Sequence, residues 1–205
     1  MPSLLRIDSS SRRDGSHSRA LADSFEAAWA KRFPGAKVMR RDLTANPLPH
    51  IHETTIAGFY APADKLDDAL KRAVGLSDEL IEEVNAADTI LIATPMYNFT
   101  MPSALKSWID QIVRINRTFS YDGARFAGLV KARRVVVVAA FGAGGYGGAM
   151  AAADFLTPYL KFLFAFLGVS DVTVIPAEAT TADATTVASN VDRAKADIRK
   201  LVEAA

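Results

Sequence analysis

Apolar residues along this chain fall into two alternating rhythms. Residues 3–8, 37–43, 89–93, 133–141 and 171–176 are short runs rich in Val, Ile and Leu. Thr89-Ile90-Leu91-Ile92-Ala93 and Val135-Val136-Val137-Val138 are apolar without alternation, as strands covered on both faces must be. Between the runs the spacing turns helical. Leu21, Phe25, Ala28, Trp29 and Phe33 mark one face over 18–33, and Pro34-Gly35 ends it. Residues 66–86, 102–115, 149–167 and 183–203 predict further helices, with Pro102 at a first turn where its missing N–H is harmless. Asn46-Pro47-Leu48-Pro49 is a break. Residues 51–64, with Gly58, Phe59, Tyr60 and Pro62, read as an irregular surface insertion of the kind that lines sites. Five strands alternating with helices predict an α/β fold: a doubly wound five-stranded parallel sheet with right-handed crossovers and helices on both faces. No repeat or low-complexity linker divides residues 1–205, which read as a single domain.

Composition narrows the function classes. Half the residues are hydrophobic and 23% are charged, as in a folded globular chain. Lys plus Arg is 24 against 23 Asp plus Glu, and a net charge of +1 argues against nucleic acid as a partner. The absence of cysteine excludes disulfides, thiolate catalysis and iron–sulfur clusters. The N-terminus lacks the apolar core of an export signal, and 155–169 is too short and interrupted to span a bilayer. The expected setting is the cytoplasm, away from membranes.

Three loops leave the carboxyl ends of predicted strands, where open α/β sheets bind ligands. The first, Ser9-Ser10-Ser11-Arg12-Arg13-Asp14-Gly15-Ser16-His17-Ser18, lacks both the nucleotide-triphosphatase P-loop ending and the G-x-G-x-x-G fingerprint. Its five hydroxyls and a following helix N-terminus still suit a monophosphate. Capping accounts for one serine but not five, and Arg12 and Arg13 either assist or are simply solvated. The second loop, Pro95-Met96-Tyr97-Asn98-Phe99, combines flat apolar faces with hydrogen-bonding groups, as a planar heterocycle would need. A hairpin-like turn with its aromatics folded onto the core explains it equally. The third, Phe141-Gly142-Ala143-Gly144-Gly145-Tyr146-Gly147-Gly148, lets backbone approach a ligand closely. Lys106 is either near a ligand or a solvated helix lysine. Asp122-Gly123 reads as a tight turn, beside which Tyr121 either overhangs the pocket or packs on the surface. His50 and His52 lack a third partner for a metal, and no nucleophile–base–acid set or carboxylate pair stands out. With three loops suited to one ligand, the flavodoxin-like strand order is the expectation.

Together these residues resemble the FMN-dependent NADH:azo/quinone oxidoreductases, a branch of the flavodoxin-like flavoproteins. Carrying the resemblance are Pro95-Met96-Tyr97-Asn98-Phe99, Ser9-Ser10, Ser16-His17-Ser18, Leu76-Ser77-Asp78-Glu79-Leu80-Ile81, Leu105-Lys106-Ser107-Trp108, Thr118-Phe119-Ser120-Tyr121 and Thr157-Pro158-Tyr159-Leu160. It covers nearly the whole chain. The resemblance implies one FMN per subunit, its phosphate held by Ser10, Ser16, His17 and Ser18. Met96, Tyr97, Asn98 and Phe99 would line the isoalloxazine, Ala140, Phe141, Gly142 and Ala143 would close its pyrimidine side, and Tyr121 would cover its face toward the substrate. It further implies a homodimer with pockets at the interface, and ping-pong transfer from NADH or NADPH to a quinone or azo compound. The catalytic chemistry would reside on FMN, with no catalytic side chain and no metal. The chain departs from the family pattern before the Gly-Gly pair, where Ala139-Ala140-Phe141 stands in place of a polar residue.

Two other classes compete. A flavodoxin-type electron carrier that binds FMN without NAD(P)H turnover shares the fold, yet such carriers are strongly acidic and this chain is not. A flavin-free regulator or hydrolase needs an acidic pocket or a nucleophile at a strand end, and the three loops hold neither. The aromatic positions Phe162, Phe164 and Phe166 fit either a dimer contact or plain core.

Overall fold

A computed structural model describes residues 1–205, apart from the side chain of residue 63. Its main sheet has five parallel strands: β1 (Ser3–Asp8), β2 (Lys37–Asp42), β3 (Thr89–Pro95), β6 (Arg134–Ala140) and β7 (Val172–Ala177), in spatial order β2-β1-β3-β6-β7. That order is the flavodoxin-like one expected, with its switch point between β1 and β3. A separate antiparallel hairpin, β4 (Phe119–Tyr121) and β5 (Phe126–Gly128), turns at Asp122, whose carboxylate accepts from the amides of Ala124 and Arg125.

The uninterrupted apolar runs are explained by two cores. Leu5, Ile7, Ile90, Ile92, Val135 and Val137 face the helices α3 (Asp68–Asn85), α4 (Ser103–Ile112) and α5 (Thr157–Phe166). Leu4, Leu91, Ala93, Val136 and Val138 face α1 (His17–Arg32) and α6 (Ala184–Glu203) on the opposite side. Each central strand therefore buries both faces. Helix starts are set by side-chain caps: Asp67 accepts from the Leu70 amide at 2.8 Å, and Asp183 from those of Thr185 and Thr186 at 3.0 Å. The outer strands are unlike the inner ones. β2 carries Arg40 and Arg41, paired with Glu26 and Glu83 respectively, and β7 carries Pro176.

Two expectations need correction. Residues 51–64 are not irregular: α2 (Glu53–Tyr60) lies within them and buries Thr55, Gly58 and Phe59. Residues 149–167 are not one helix. A single turn at Ala151–Ala153 is followed by Asp154, whose Oδ1 accepts from the amides of Leu156 and Thr157 and starts α5 afresh. The helix expected over 102–115 spans Ser103–Ile112. The aromatic positions of α5 divide: Phe164 is buried, while Phe162 is exposed and stacks on Phe166.

The hairpin docks through bare backbone. A Cβ on Gly128 would lie 2.1 Å from the Gly168 amide nitrogen, and Gly168 itself sits at φ +103°. The Val130 amide donates to the Leu167 carbonyl at 3.0 Å, fastening the segment that leads on to β6.

Candidate active site

Because the strands are parallel and in register, Asp8 lies level with Ala93, and Pro95 with Ala140. The loops after β1, β3, β6 and β7 therefore emerge along one edge. There they enclose a cavity of about 240 Å³ lined by Ser10, Arg12, Ser16, His17, Ser18, Met96, Tyr97, Ala140 and Gly142, with Gly15, Pro95, Thr180 and Thr181 completing it. Three loops distant in sequence thus meet. Of the expected cofactor residues, Ser10, Ser16, His17, Ser18, Met96, Tyr97, Ala140 and Gly142 share this cavity. Asn98, Phe99, Phe141, Ala143 and Tyr121 are not among its walls.

In the first loop four of the five serines are placed by distinct contacts. Ser9 turns inward, both its amide and its hydroxyl donating to the Ala93 carbonyl at 3.0 Å. Ser10, Ser16 and Ser18 face the cavity although each residue is at least nine-tenths buried. Ser16 caps α1, its Oγ accepting from the Arg19 amide at 3.4 Å and lying 3.3 Å from the Ser18 hydroxyl. The first helical amide to close a turn is that of Ala20, onto the Ser16 carbonyl. Among the described residues the amides of His17 and Ser18 carry no hydrogen bond, at the positive end of a helix whose first turn has no acidic residue. Hydroxyls, helix-terminal amides and Arg12 around one concavity are the donor set that a phosphate-sized anion would need.

The second loop is a tight two-residue turn. Tyr97 and Thr100 exchange backbone hydrogen bonds at 2.8 and 3.1 Å, and the residues between them, Asn98 and Phe99, have φ of +49° and +69°. The turn reading is thus right, but the aromatics do not fold back: Phe99 is half exposed and Tyr97 partly so. The Phe155 amide donates to the Phe99 carbonyl at 3.1 Å, setting two exposed phenyl rings on joined loops.

The glycine-rich loop is fastened to the segment after β7, which the sequence reading missed. The amides of Gly145 and Tyr146 donate to Glu178 Oε2 at 2.7 and 3.3 Å, while the hydroxyls of Thr180 and Thr181 donate to the carbonyls of Phe141 and Gly142. Phe141 is buried against Tyr146, ring centroids 4.9 Å apart. The only sequence signal for Thr180 and Thr181 is their place after the last strand, an end that joins the site only once the strand order is known.

Elsewhere, Tyr121 is half exposed on its hairpin, hydroxyl to the Gly123 carbonyl, and stacks on Phe126. Lys106 pairs with Asp110 on the surface of α4, and His50 Nδ1 lies 3.2 Å from the Ser107 hydroxyl. Among the described residues no group of three or more His, Cys, Asp or Glu is arranged to hold a metal, and no helix is long and apolar enough to cross a membrane.

Comparison with known proteins agrees with this geometry. The family model described as "Flavodoxin-like fold" matches residues 2–202. An FMN-dependent NADH:quinone oxidoreductase from Xanthobacter autotrophicus is 53% identical over 176 residues, 85% of each chain. One of the same name from Hydrogenovibrio crunogenus is 38% identical over 95% of this chain and 96% of its own. Among solved structures, an FMN-dependent NADH-azoreductase from Bacillus anthracis in complex with FMN superposes with a TM-score of 0.86 over 98% of this chain and 100% of its own. At 24% identity that likeness speaks for the fold. The chain belongs to the flavodoxin-like fold family and, within it, to the FMN-dependent NADH:quinone oxidoreductases.

Proposed function

We propose that the protein is an FMN-dependent oxidoreductase that uses NADH to reduce quinones, and also azo compounds, by ping-pong hydride transfer. The observation that carries this reading is the single cavity joining a phosphate receptor at α1 to the Met96–Tyr97 turn and Gly142. FMN supplies the capacity to accept a hydride and release it to a second substrate.

The chain's own groups fit that cofactor. Ser10, Ser16 and Ser18 offer hydroxyls to the phosphate, with the amides of His17 and Ser18 and the charge of Arg12. Met96 and Tyr97 give the ring an apolar wall. Among the described residues the amides of Asn98 and Gly142 carry no hydrogen bond. They are uncommitted donors, that of Gly142 on the cavity wall and that of Asn98 on the adjoining turn, and would favour negative charge on a ring bound there. Tyr97, Phe99 and Phe155 leave an aromatic rim open to solvent, suited to flat acceptors that stack with little polar demand. An electron carrier lacking NADH turnover would instead dock partners through an acidic face, and this rim is aromatic with Arg12 beside it.

The same reading makes the working unit a homodimer. Tyr121, Phe126 and Phe162 are all exposed, and Phe126 packs ring to ring with Phe119 and Phe166, which also pack on each other. An apolar surface of this kind is normally covered by another chain. The proposed compartment is the cytoplasm, where NADH is supplied.

An anaerobic visible spectrum tests the function. The purified protein is expected to bind FMN, bleach on addition of NADH, and regain its absorbance when benzoquinone follows. A protein that neither binds added FMN nor oxidises NADH would overturn the reading.

A further inference from the structure

One side chain outside the cavity ties its phosphate half together. Arg19 is the third residue of α1, and its backbone amide donates to the Ser16 cap, so its main chain belongs to the helical side of the receptor. Its guanidinium reaches the other side. Nη2 donates to the Ser10 carbonyl at 2.9 Å, and also approaches Asp42 Oδ1 at 2.9 Å and Thr44 Oγ1 at 2.8 Å, while Nη1 donates to Asp42 Oδ2 at 2.7 Å. Thr44 Oγ1 lies 3.3 Å from the same Ser10 carbonyl. The Asp42 carboxylate is itself held by the amides of Thr44 and Ala45 at the end of β2.

Ser10 is thereby pinned from both flanks. Ser9 before it is bound twice to the Ala93 carbonyl, and its own carbonyl is held by Arg19. Residues 11–15 hold only a local turn at Asp14-Gly15, so among the described residues the Arg19 contact is the one that ties the Ser10 carbonyl to the helical half of the receptor. The Arg19 side chain is 14% exposed and does not line the cavity. Its charge is spent on Asp42: the pair holds the Asp42 carboxyl well below the usual carboxylate range and raises the guanidinium above its own. Both Nη atoms of Arg19 are thus committed to Asp42, Ser10 and Thr44, while its Nε is buried without a partner.

We propose that Arg19, braced by Asp42 and Thr44, is a positioning residue for FMN. It sets the spacing between the Ser10 and Ser16–Ser18 halves of the phosphate receptor and so determines how strongly the protein prefers FMN to riboflavin. The proposal rests on the reading of this loop as the FMN phosphate site. A bidentate partner is required because one group must hold two carboxylate oxygens and a carbonyl at once, which a lysine ammonium cannot do in the same plane.

The test compares FMN and riboflavin affinity by flavin fluorescence in the full-length protein freed of flavin. The natural chain is expected to prefer FMN. In Arg19→Ala, FMN affinity falls by roughly ten-fold or more while riboflavin affinity changes less than about two-fold. Guanidinium ion at non-denaturing concentration restores FMN binding, and ammonium ion does not. A merely structural role would weaken both flavins together, so an unchanged ratio of the two affinities overturns the proposal. If Arg19→Ala does not fold, Thr44→Val decides: a smaller loss in the same ratio supports the brace, and no loss overturns it. A natural chain that binds both flavins equally would instead remove the phosphate reading itself, and this proposal with it.

Discussion

Asn98 and Phe99 both occupy left-handed backbone in a turn whose second position would ordinarily be glycine. Asparagine tolerates that region, while a phenylalanine there costs on the order of 1–2 kcal/mol. The turn keeps a free amide and an exposed ring beside the cavity at that expense. Asn98→Gly preserves the turn and removes only the side chain. Because the main-chain amide remains, NADH-driven reduction in stopped flow and FMN affinity are both expected to stay within about two-fold of the natural chain; a roughly ten-fold slower reduction would transfer the role from the amide to the Asn98 side chain. Part of this site was legible in the sequence. The residue types at Ser10, Ser16, Ser18, Met96 and Tyr97 carry their chemistry openly, and the resemblance covers them. The division of labour was not. Ser9 and Ser10 look alike until the neighbouring strand offers Ser9 a carbonyl, and Arg12 and Arg19 look alike until Asp42 is folded next to one of them. Three-dimensional proximity decided each case.

Elements were legible where both faces are buried and obscure where a glycine does packing work. The strands of residues 89–93 and 133–141 announce themselves through unbroken β-branched runs. α2 was hidden by Gly58, which reads as a breaker. In the fold it is a contact, since a Cβ there would come within 2.5 Å of Val74 Cγ1 on α3. The helix expected over 149–167 has the right composition throughout, yet Asp154 captures two amides and restarts it at Thr157. The β4–β5 hairpin carries a sharper consequence of the same kind. Gly128→Ala places a methyl against the backbone of Gly168, and the strand must lift away from α5. A loss of about 1–3 kcal/mol is expected, the scale of overpacking, and thermal unfolding with NADH-independent optical detection measures it. A melting temperature equal to that of the natural chain would show that the hairpin does not depend on this contact.

For the molecule as a whole, the alternation of strands and helices was enough to predict the parallel sheet, and the convergence of three loops was enough to favour its order. The proposed association between copies is argued from surface chemistry instead. Sedimentation of the natural chain is expected to give twice the 22.1 kDa of one chain. Phe162→Glu, placing a charge in the exposed aromatic cluster, is expected to shift it to one chain's mass and to lower quinone reduction. An unchanged sedimentation coefficient would move the contact elsewhere. The borders of the sheet restrict where such contact forms. At β2 the backbone rim is flanked by Arg40 and Arg41, each held in an ion pair, and at β7 Pro176 has no N–H to give. Neither rim is a template on which another chain can add a strand, and both are poor seeds for fibrillar growth. Joining sheet to sheet is thereby discouraged, which leaves helices, loops and the hairpin as the surfaces on which copies of this protein would meet.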